Sequence, residues 1–489
     1  MTRFQRHLPL FLIGLLMIGL GHSTAPAPIA AQRSAQRRPP NFIVLLGEGQ
    51  GWNSTSVQMD ETVAASKNSL IQTPNLERLA KEGMRFANAY AASPRCTPSR
   101  AALFTGKTPA LLHMTYVGIG RGEDAGSSRK LIPPQPVLEL PESETTIAEL
   151  LKTAGYATAH FGKWHVGRTN PSRHGFDEND GANNNGGPEN VDSPNPKQAY
   201  LTTERGIDFV TRQTQAGKPF LLQISQYAGR GEQDAKPETV EAVKKRAVGR
   251  NDRQAGAAAV AEDVDINIGL LLKKLDELGI AANTYVIYTA DHGSPGRGTN
   301  VPLNNGKGSL LEGGIRVPML IRGPGVKAGI CSHTRVASFD LLPTIADLAN
   351  IKTPLPKSIE GGSMKSVLLS DGKAAVKRPR EDQREELIFH FPHYDLDNDG
   401  PASVMFSGNL KAYKSYETGE LRLFDLSKDL GERNDLAKQM PDKAAEMERR
   451  MNAYLKSVNA QMPTTNPNYD PSKAPPANQN GRRRNRRGN

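Results

Sequence analysis

Cys96 stands in the stretch Ser-Pro-Arg-Cys-Thr-Pro-Ser-Arg-Ala-Ala-Leu-Phe-Thr-Gly, residues 93–106, with Pro98 and Arg100 close behind it. The chain has 489 residues and only two cysteines, Cys96 and Cys331. Proline suits the first turn of a helix, and the residues after Pro98 continue one. That places Cys96 at a helix N-terminus, where unpaired N–H groups and the helix dipole favour an anion. Arg100 lies one turn on along the same face, and a guanidinium forks onto oxyanion oxygens. From position alone two readings stay open: a reactive group at an anion site, or a buried structural cysteine.

Three further polar clusters, at 47–51, 162–168 and 291–293, each follow an apolar run. The run Asn-Phe-Ile-Val-Leu-Leu (41–46) has the texture of a strand buried on both faces. Tyr-Ala-Thr-Ala-His-Phe-Gly (156–162) and Thr-Tyr-Val-Ile-Tyr-Thr-Ala (284–290) are two more strands. Between them lie helices. One runs from Pro74 with Thr73 as cap and Gly83 as stop. Another follows Thr146, which has capping-box spacing to Glu149, and ends at Gly155. A third carries apolar residues at 260, 264, 268, 271, 275 and 278 and stops at Gly279. A strand at 315–325 and a helix at 340–350 complete the pattern. Alternating strands and helices imply an α/β fold, a large mostly parallel sheet sandwiched by helices. In such sheets ligands bind beyond the carboxyl ends of the strands, where the polar clusters fall.

After residue 385 the texture changes to short, closely spaced strands and then a helix over 441–457, implying a smaller antiparallel sheet plus helix. The expected organisation is a signal peptide over 1–31, a linker over 32–40, a catalytic domain over 41–385, a C-terminal subdomain over 386–460, and a disordered basic tail over 461–489. The leader pairs Arg3 and Arg6 with an apolar run and then small residues, the pattern of a secretory signal cut between Ala27 and Ala31. The apolar run is shorter than a membrane span requires. The protein is therefore expected to be exported, periplasmic or secreted, without stable membrane insertion.

The formal net charge is +11. Residues 1–40 hold five arginines, residues 471–489 hold five more and Lys473, and neither end holds an acid. These end residues account for the whole excess, so the fold itself is near neutral. A nucleic-acid enzyme keeps a basic patch in its fold, so no nucleic-acid partner is expected.

The string Cys-Thr-Pro-Ser-Arg resembles the Cys-x-Pro-x-Arg signature of the formylglycine-dependent sulfatases of the alkaline phosphatase superfamily. Ala-Ala-Leu-Phe-Thr-Gly continues that pattern. Other segments resemble the same family in order. Pro-Asn-Phe-Ile-Val-Leu-Leu-Gly-Glu-Gly-Gln-Gly-Trp resembles its first strand and metal loop. Gly-Lys-Trp-His-Val-Gly resembles its first lysine segment, giving Lys163 and His165, and His-Gly-Phe-Asp (174–177) follows as is usual. Asp-His-Gly resembles its metal segment, giving Asp291 and His292. Asn-Asn-Gly-Lys-Gly resembles its second lysine segment, giving Lys307. The resemblance covers roughly residues 39–457.

It implies an alkaline-phosphatase-like fold and hydrolysis of a sulfate monoester, with a sulfated small molecule or polysaccharide as substrate. It implies that a separate formylglycine-generating maturation enzyme converts Cys96 to formylglycine, and that Ca²⁺ is bound. Glu48, Asp291, His292 and residue 96 would hold the metal. Arg100, Lys163 and Lys307 would clamp charge, and His165 would act as acid or base. The hydrated aldehyde offers two hydroxyls on one carbon, one to attack sulfur and one to expel sulfate. Nearby alternatives are a phosphate or phosphonate ester hydrolase of the same superfamily, or a decayed binder of sulfated glycans.

The chain departs from the family pattern twice. The metal loop normally carries two consecutive aspartates, and here those positions are Glu48 and Gly49. Gln50 could supply an amide oxygen there, or bind substrate. The family also has a histidine near residue 230, where this chain has Arg230. An arginine can bind a sulfate oxygen but cannot protonate a leaving group. If Cys96 is modified, Cys331 is unpaired and expected as a small buried apolar side chain.

Overall fold

The run Asn41–Gly47 is buried along its whole length because it lies inside an eight-stranded sheet. The structure, a computed structural model, describes residues 38–118, 126–185, 199–229, 231–247, 252–296, 299–379, 386–395 and 400–474. The sheet runs Ile330–Ser332, Met84–Phe86, Met319–Arg322, Thr284–Ala290, Asn41–Gly47, Phe220–Ser225, Ala157–Gly162, Glu178–Asn179. The last five of these are parallel to their neighbours among themselves. Met319–Arg322 is antiparallel to both strands beside it, so the sheet is mixed but mostly parallel.

The pleat divides the first strand between two cores. Phe42, Val44 and Leu46 pack with Phe104, Leu151 and Leu342 on one face. Ile43 and Leu45 pack with Phe209, Leu271 and Leu275 on the other. Each fully buried aliphatic side chain is worth roughly 1.5–3 kcal/mol of transfer free energy. That reserve lets the strand ends carry buried charges, which by themselves cost stability.

The expected helices form. Pro74–Glu82 starts after Thr73 and stops at Gly83, but Thr73 does not cap it by its side chain. Thr73 Oγ1 accepts from Ser56 N instead. The first helical amides, of Asn75 and Leu76, donate to the Asp265 carboxylate at 3.0 and 2.8 Å. Ile147–Lys152 has both bonds of the capping box between Thr146 and Glu149. Asp252–Glu277 buries Val264, Ile268, Leu271 and Leu275 along the predicted stripe. Among the described helices none is long and apolar enough to cross a membrane.

Four antiparallel strands follow, Ile388–Phe391, Ala402–Ser407, Leu410–Ser415 and Leu421–Asp425. Alternation again assigns the faces. Met405, Ala412 and Leu423 meet Met447, Met451 and Leu455 of the helix Pro441–Ser457. Phe389, Phe406 and Tyr413 meet Tyr90 and Ile315 at the end of the large sheet. Through that contact Lys411, fully buried, bridges Glu312 at 2.9 Å and Glu432 at 2.7 Å.

The tail expected to be disordered from 461 is ordered further than that. Thr464–Thr465 pairs with Leu131–Ile132, and the Asn466 side chain donates to the carbonyls of Gly126 and Arg129. Backbone pairing, rather than apolar content, holds this segment, so its composition did not show it. Residues 1–31, expected to be a signal peptide, and residues 475–489 lie outside the described residues.

Candidate active site

Three strand ends and one helix mouth converge. Glu48 follows Asn41–Gly47, Lys163 follows Ala157–Gly162, and Asp291 and His292 follow Thr284–Ala290. Cys96 is the first residue of the helix Cys96–Thr105, and every residue of that helix is buried. Gly106 ends it in the left-handed region, its N–H returning to Ala102 O at 2.9 Å. Two glycines allow the close approach of the loops. A Cβ on Gly162, whose φ is +91°, would lie 2.0 Å from Ser225 O. A Cβ on Gly293 would lie 1.8 Å from Gly313 O.

Glu48, Cys96, Asp291 and His292 each offer one ligand atom, and these atoms lie within 4.8 Å of one another. Cys96 Sγ is 3.4 Å from His292 Nε2 and 3.6 Å from both Glu48 Oε1 and Lys307 Nζ. Lys163 Nζ donates to Glu48 Oε2 at 2.9 Å, and Lys307 Nζ lies 3.4 Å from Glu48 Oε1. Arg100 is fully buried, with Nε 3.0 Å from Asp291 Oδ2 and Nη2 3.1 Å from Glu48 Oε2. A third bond runs from Nη1 to Lys163 O. Arg100 therefore holds the two carboxylates and the lysine loop in place. It does not present a free fork to a ligand, as its position on the helix had implied.

Burial governs the protonation of this cluster, and its charges then correct it. Burial pushes the Glu48 carboxyl up, but Lys163, Lys307 and His292 outweigh it and hold it well below the usual carboxylate range. Asp291 moves up, first through burial and then through the nearby Glu48 charge. Burial and Glu48 push the Cys96 thiol up, while Lys163, Lys307 and His292 pull it down further, so it lies well below an ordinary thiol. The surroundings of residue 96 thus favour a negative charge.

These residues fit a divalent cation. His292 Nδ1 lies 2.9 Å from Gly293 O and donates there, so a cation entering the cluster would displace only the Nε2 proton and take that nitrogen as its ligand. Two buried carboxylates complete a donor set of the kind hard cations take. Gly49 adds no side chain, and its N–H donates to Asp291 Oδ1 at 3.0 Å. Gln50 does not make up the deficit, because its Oε1 accepts from the Tyr288 hydroxyl. Gln50 instead lines a cavity of about 540 Å³ that opens at Glu48 and Gly49. Gln226, Tyr227 and an alanine wall of the long helix, Ala257, Ala258 and Ala261, also line it. Arg230 lies outside the described residues.

His165 is not one of the four ligand groups that come together. It lines a second cavity of about 420 Å³ with Thr97, Arg168 and Asn184. Its φ is +56°, and its buried Nδ1 has no hydrogen-bond partner. Asn183 holds this segment, a role the sequence did not reveal. Its Oδ1 accepts from Trp164 N, its carbonyl from His165 N, and its Nδ2 donates to Gly162 O. Asn183 opens an Asn-rich stretch whose residues 186–194 lie outside the described residues.

Both cysteines are free. Cys331 is only half-buried and sits beside polar groups, its Sγ donating to Met59 O at 3.4 Å. The apolar pocket expected for it is not what surrounds it, because its strand is the sheet's edge and faces an acidic loop.

The sulfatase family model matches residues 40–351, so the chain belongs to the sulfatase family and is a sulfuric ester hydrolase. The model of the N-sulphoglucosamine sulphohydrolase C-terminal region matches residues 306–461. The chain is 33% identical over 385 residues to N-acetylgalactosamine-6-sulfatase of Mus musculus, covering 71% of this chain and 68% of that one. It is 28% identical over 535 residues to a sulfatase of Formosa agariphila, covering 91% and 94%. Its fold is similar to that of Ps i-CgsB, crystallised with k-i-k-neocarrahexaose. The TM-score is 0.70 and the identity 24%, over 86% of this chain and 94% of that one.

Proposed function

We propose that this protein is an exported sulfatase that removes sulfate from a sulfated carbohydrate, using a formylglycine made from Cys96 by a maturation enzyme and a calcium ion. One observation carries the reading. Cys96 opens a buried helix and lies among Lys307, His292 and Glu48, each within 3.6 Å. The carbohydrate class rests on the names of relatives, N-acetylgalactosamine-6-sulfatase among them, and on a structural neighbour crystallised with k-i-k-neocarrahexaose. Export rests on the leader pattern.

Glu48, Asp291, His292 and residue 96 would hold the cation, which would polarise an oxygen at residue 96 and neutralise charge on the ester. A formylglycine there would supply a hydroxyl nucleophile. The remaining work falls to ordinary side chains. Lys163 and Lys307 bring two positive charges to the mouth of the helix, where the amide dipoles point the same way. Arg100 bridges Glu48 and Asp291 and fixes the position of both carboxylates. His165 lines the second cavity beside Thr97, the residue after Cys96, and would hand a proton to the departing sugar oxygen from there.

The test is turnover by protein purified from its own host, on matched aryl sulfate and aryl phosphate and on sulfated oligosaccharides. The proposal expects sulfate release from both sulfate classes, much slower phosphate release, and loss of activity on chelation. Preference for the phosphate ester would overturn it, as would glycan binding without turnover.

A further inference from the structure

We propose that Glu61, Cys331 and His333 form a second metal site, suited to Zn²⁺, on the edge of the large sheet away from the catalytic cluster. Their ligand atoms lie within 4.8 Å of one another. Thiolate, imidazole and carboxylate together are the donors zinc takes, and the thiolate argues against calcium.

Local structure aims these groups. Cys331 is the central residue of the edge strand Ile330–Ser332 and pairs with Arg85 of Met84–Phe86. Its sulfur faces the turn that holds Met59, Asp60 and Glu61. That turn is fixed without any metal. Asp60 N donates to Ser66 Oγ at 3.1 Å, and Asp60 Oδ1 accepts from Thr62 N at 2.9 Å. Arg85 Nη2 stands 3.8 Å from Glu61 Oε2, which leaves Oε1 to face the imidazole. Glu61 Oε1 is 3.2 Å from His333 Nε2.

The other side of the ring supplies an independent indication. Asp60 Oδ2 lies 3.9 Å from His333 Nδ1. That carboxylate lies on the Nδ1 side of the ring, beyond direct hydrogen-bond distance, and is the kind of outer neighbour that orients metal-bound histidines. Zinc bond lengths require ligand separations of about 3.3–3.6 Å. The Glu61–His333 pair, at 3.2 Å, is just inside that spacing and needs only a small opening. Both side chains are about half exposed, so they can close on the sulfur by rotation.

Binding replaces the Cys331 S–H bond with a sulfur–metal bond and releases one proton to solvent, with no redox change. Water fills the fourth position. The ion would clasp the 59–61 turn to the edge strand. The same loop continues to Asn68, Leu70 and Ile71, which line the larger cavity.

The experiment uses the full chain carrying Cys96→Ala, in which Cys331 is the sole thiol. Co²⁺ is titrated in and then displaced with Zn²⁺. The expected result is a near-ultraviolet thiolate-to-cobalt charge-transfer band, abolished by one equivalent of Zn²⁺ and absent in Cys331→Ser. Glu61→Gln and His333→Ala, at exposed positions that tolerate change, should each weaken Zn²⁺ binding tenfold or more. Asp60→Asn should weaken it by about tenfold. Zn²⁺ should raise the melting temperature of the Cys96→Ala protein and not that of Glu61→Gln. No band at excess Co²⁺, or a band of unchanged affinity in Glu61→Gln and His333→Ala, would overturn the site. Neither result depends on sulfatase turnover, so the proposal fails or stands separately from the reading of Cys96.

Discussion

The two cysteines occupy opposite electrostatic settings. Cys96 is buried at the mouth of a helix, and Lys163, Lys307 and His292 pull its thiol well below the ordinary range. Cys331 lies on an edge strand, where burial and then a hydrogen bond with Glu61 push its thiol up to about 12. Burial opposes ionisation at both. The difference is made by the balance of charges nearby: at Cys96 three cationic groups outweigh Glu48, and at Cys331 Glu61 outweighs Arg85. A position designed to carry negative charge on a small group is recognisable in this way even before any modification of that group.

The widest test of that contrast is substitution of each cysteine in turn. Cys96→Ala should lower turnover by more than about 10³-fold with the melting temperature nearly unchanged, because it removes the nucleophile and nothing structural. Cys331→Ser should leave turnover within about twofold. Equal losses in the two variants would erase the distinction. Next in size is His165→Ala. It should cost about 10²–10⁴-fold on a sulfated sugar, whose alkoxide needs a proton, and far less on an activated aryl sulfate. Equal losses on both substrates would remove His165 from the proton's path.

Much of this arrangement was legible in the sequence, and the exceptions share a cause. Continuous apolar runs marked Asn41–Gly47 and Thr284–Ala290, and turn residues marked the loops that carry Glu48, Asp291 and His292. Thr146 and Glu149 marked a helix start by spacing alone. What escaped depends on partners far apart in the chain. The cap of Pro74–Glu82 is Asp265, some 190 residues away. The antiparallel direction of Met319–Arg322 is set by how the chain returns to the sheet, which no local pattern records. Arg100 could be placed on the helix face toward the site, but not seen to be consumed by Glu48 and Asp291. Asn183 lay in a polar run that resembles any surface loop, and only the structure shows it gripping Gly162, Trp164 and His165. The strand Phe220–Ser225 is interrupted by Gln223, so its apolar run is shorter than that of the first strand.

Smaller effects sharpen the contrast between charges that are answered and groups buried without an answer. Glu48→Gln removes the charge shared by Lys163, Lys307 and Arg100. Calcium affinity, measured by titration calorimetry, should fall by about tenfold or more. Unchanged affinity would mean that Glu48 is not a ligand. In the C-terminal sheet, burial lowers His390 to about 4 and His393 to about 3. His390 is bonded at both ring nitrogens and His393 at Nε2. His390 bonds Ser403 Oγ at 2.6 Å and Gln461 O at 2.9 Å, and His393 Nε2 lies 2.8 Å from Thr115 Oγ1. A histidine whose folded value lies below its unfolded value of about 6.5 leaves the unfolded state holding more protons in between. Stability should therefore be full above about pH 6.5 and fall as pH drops toward 4, by roughly 1–3 kcal/mol for each ring. Melting curves across that window should show the fall, and His390→Gln should flatten it. A profile identical in the variant would show that other groups set the acid limit.

The central claim is that Cys96 sits in its cationic helix mouth to become an aldehyde. Mass spectrometry of the peptide spanning Cys96, from protein made in its own host, tests this most directly. The account predicts the mass deficit of cysteine converted to formylglycine. An unmodified thiol at full occupancy would contradict it, and would turn the absence of a side chain at Gly49 into a sign of a site that no longer hydrolyses.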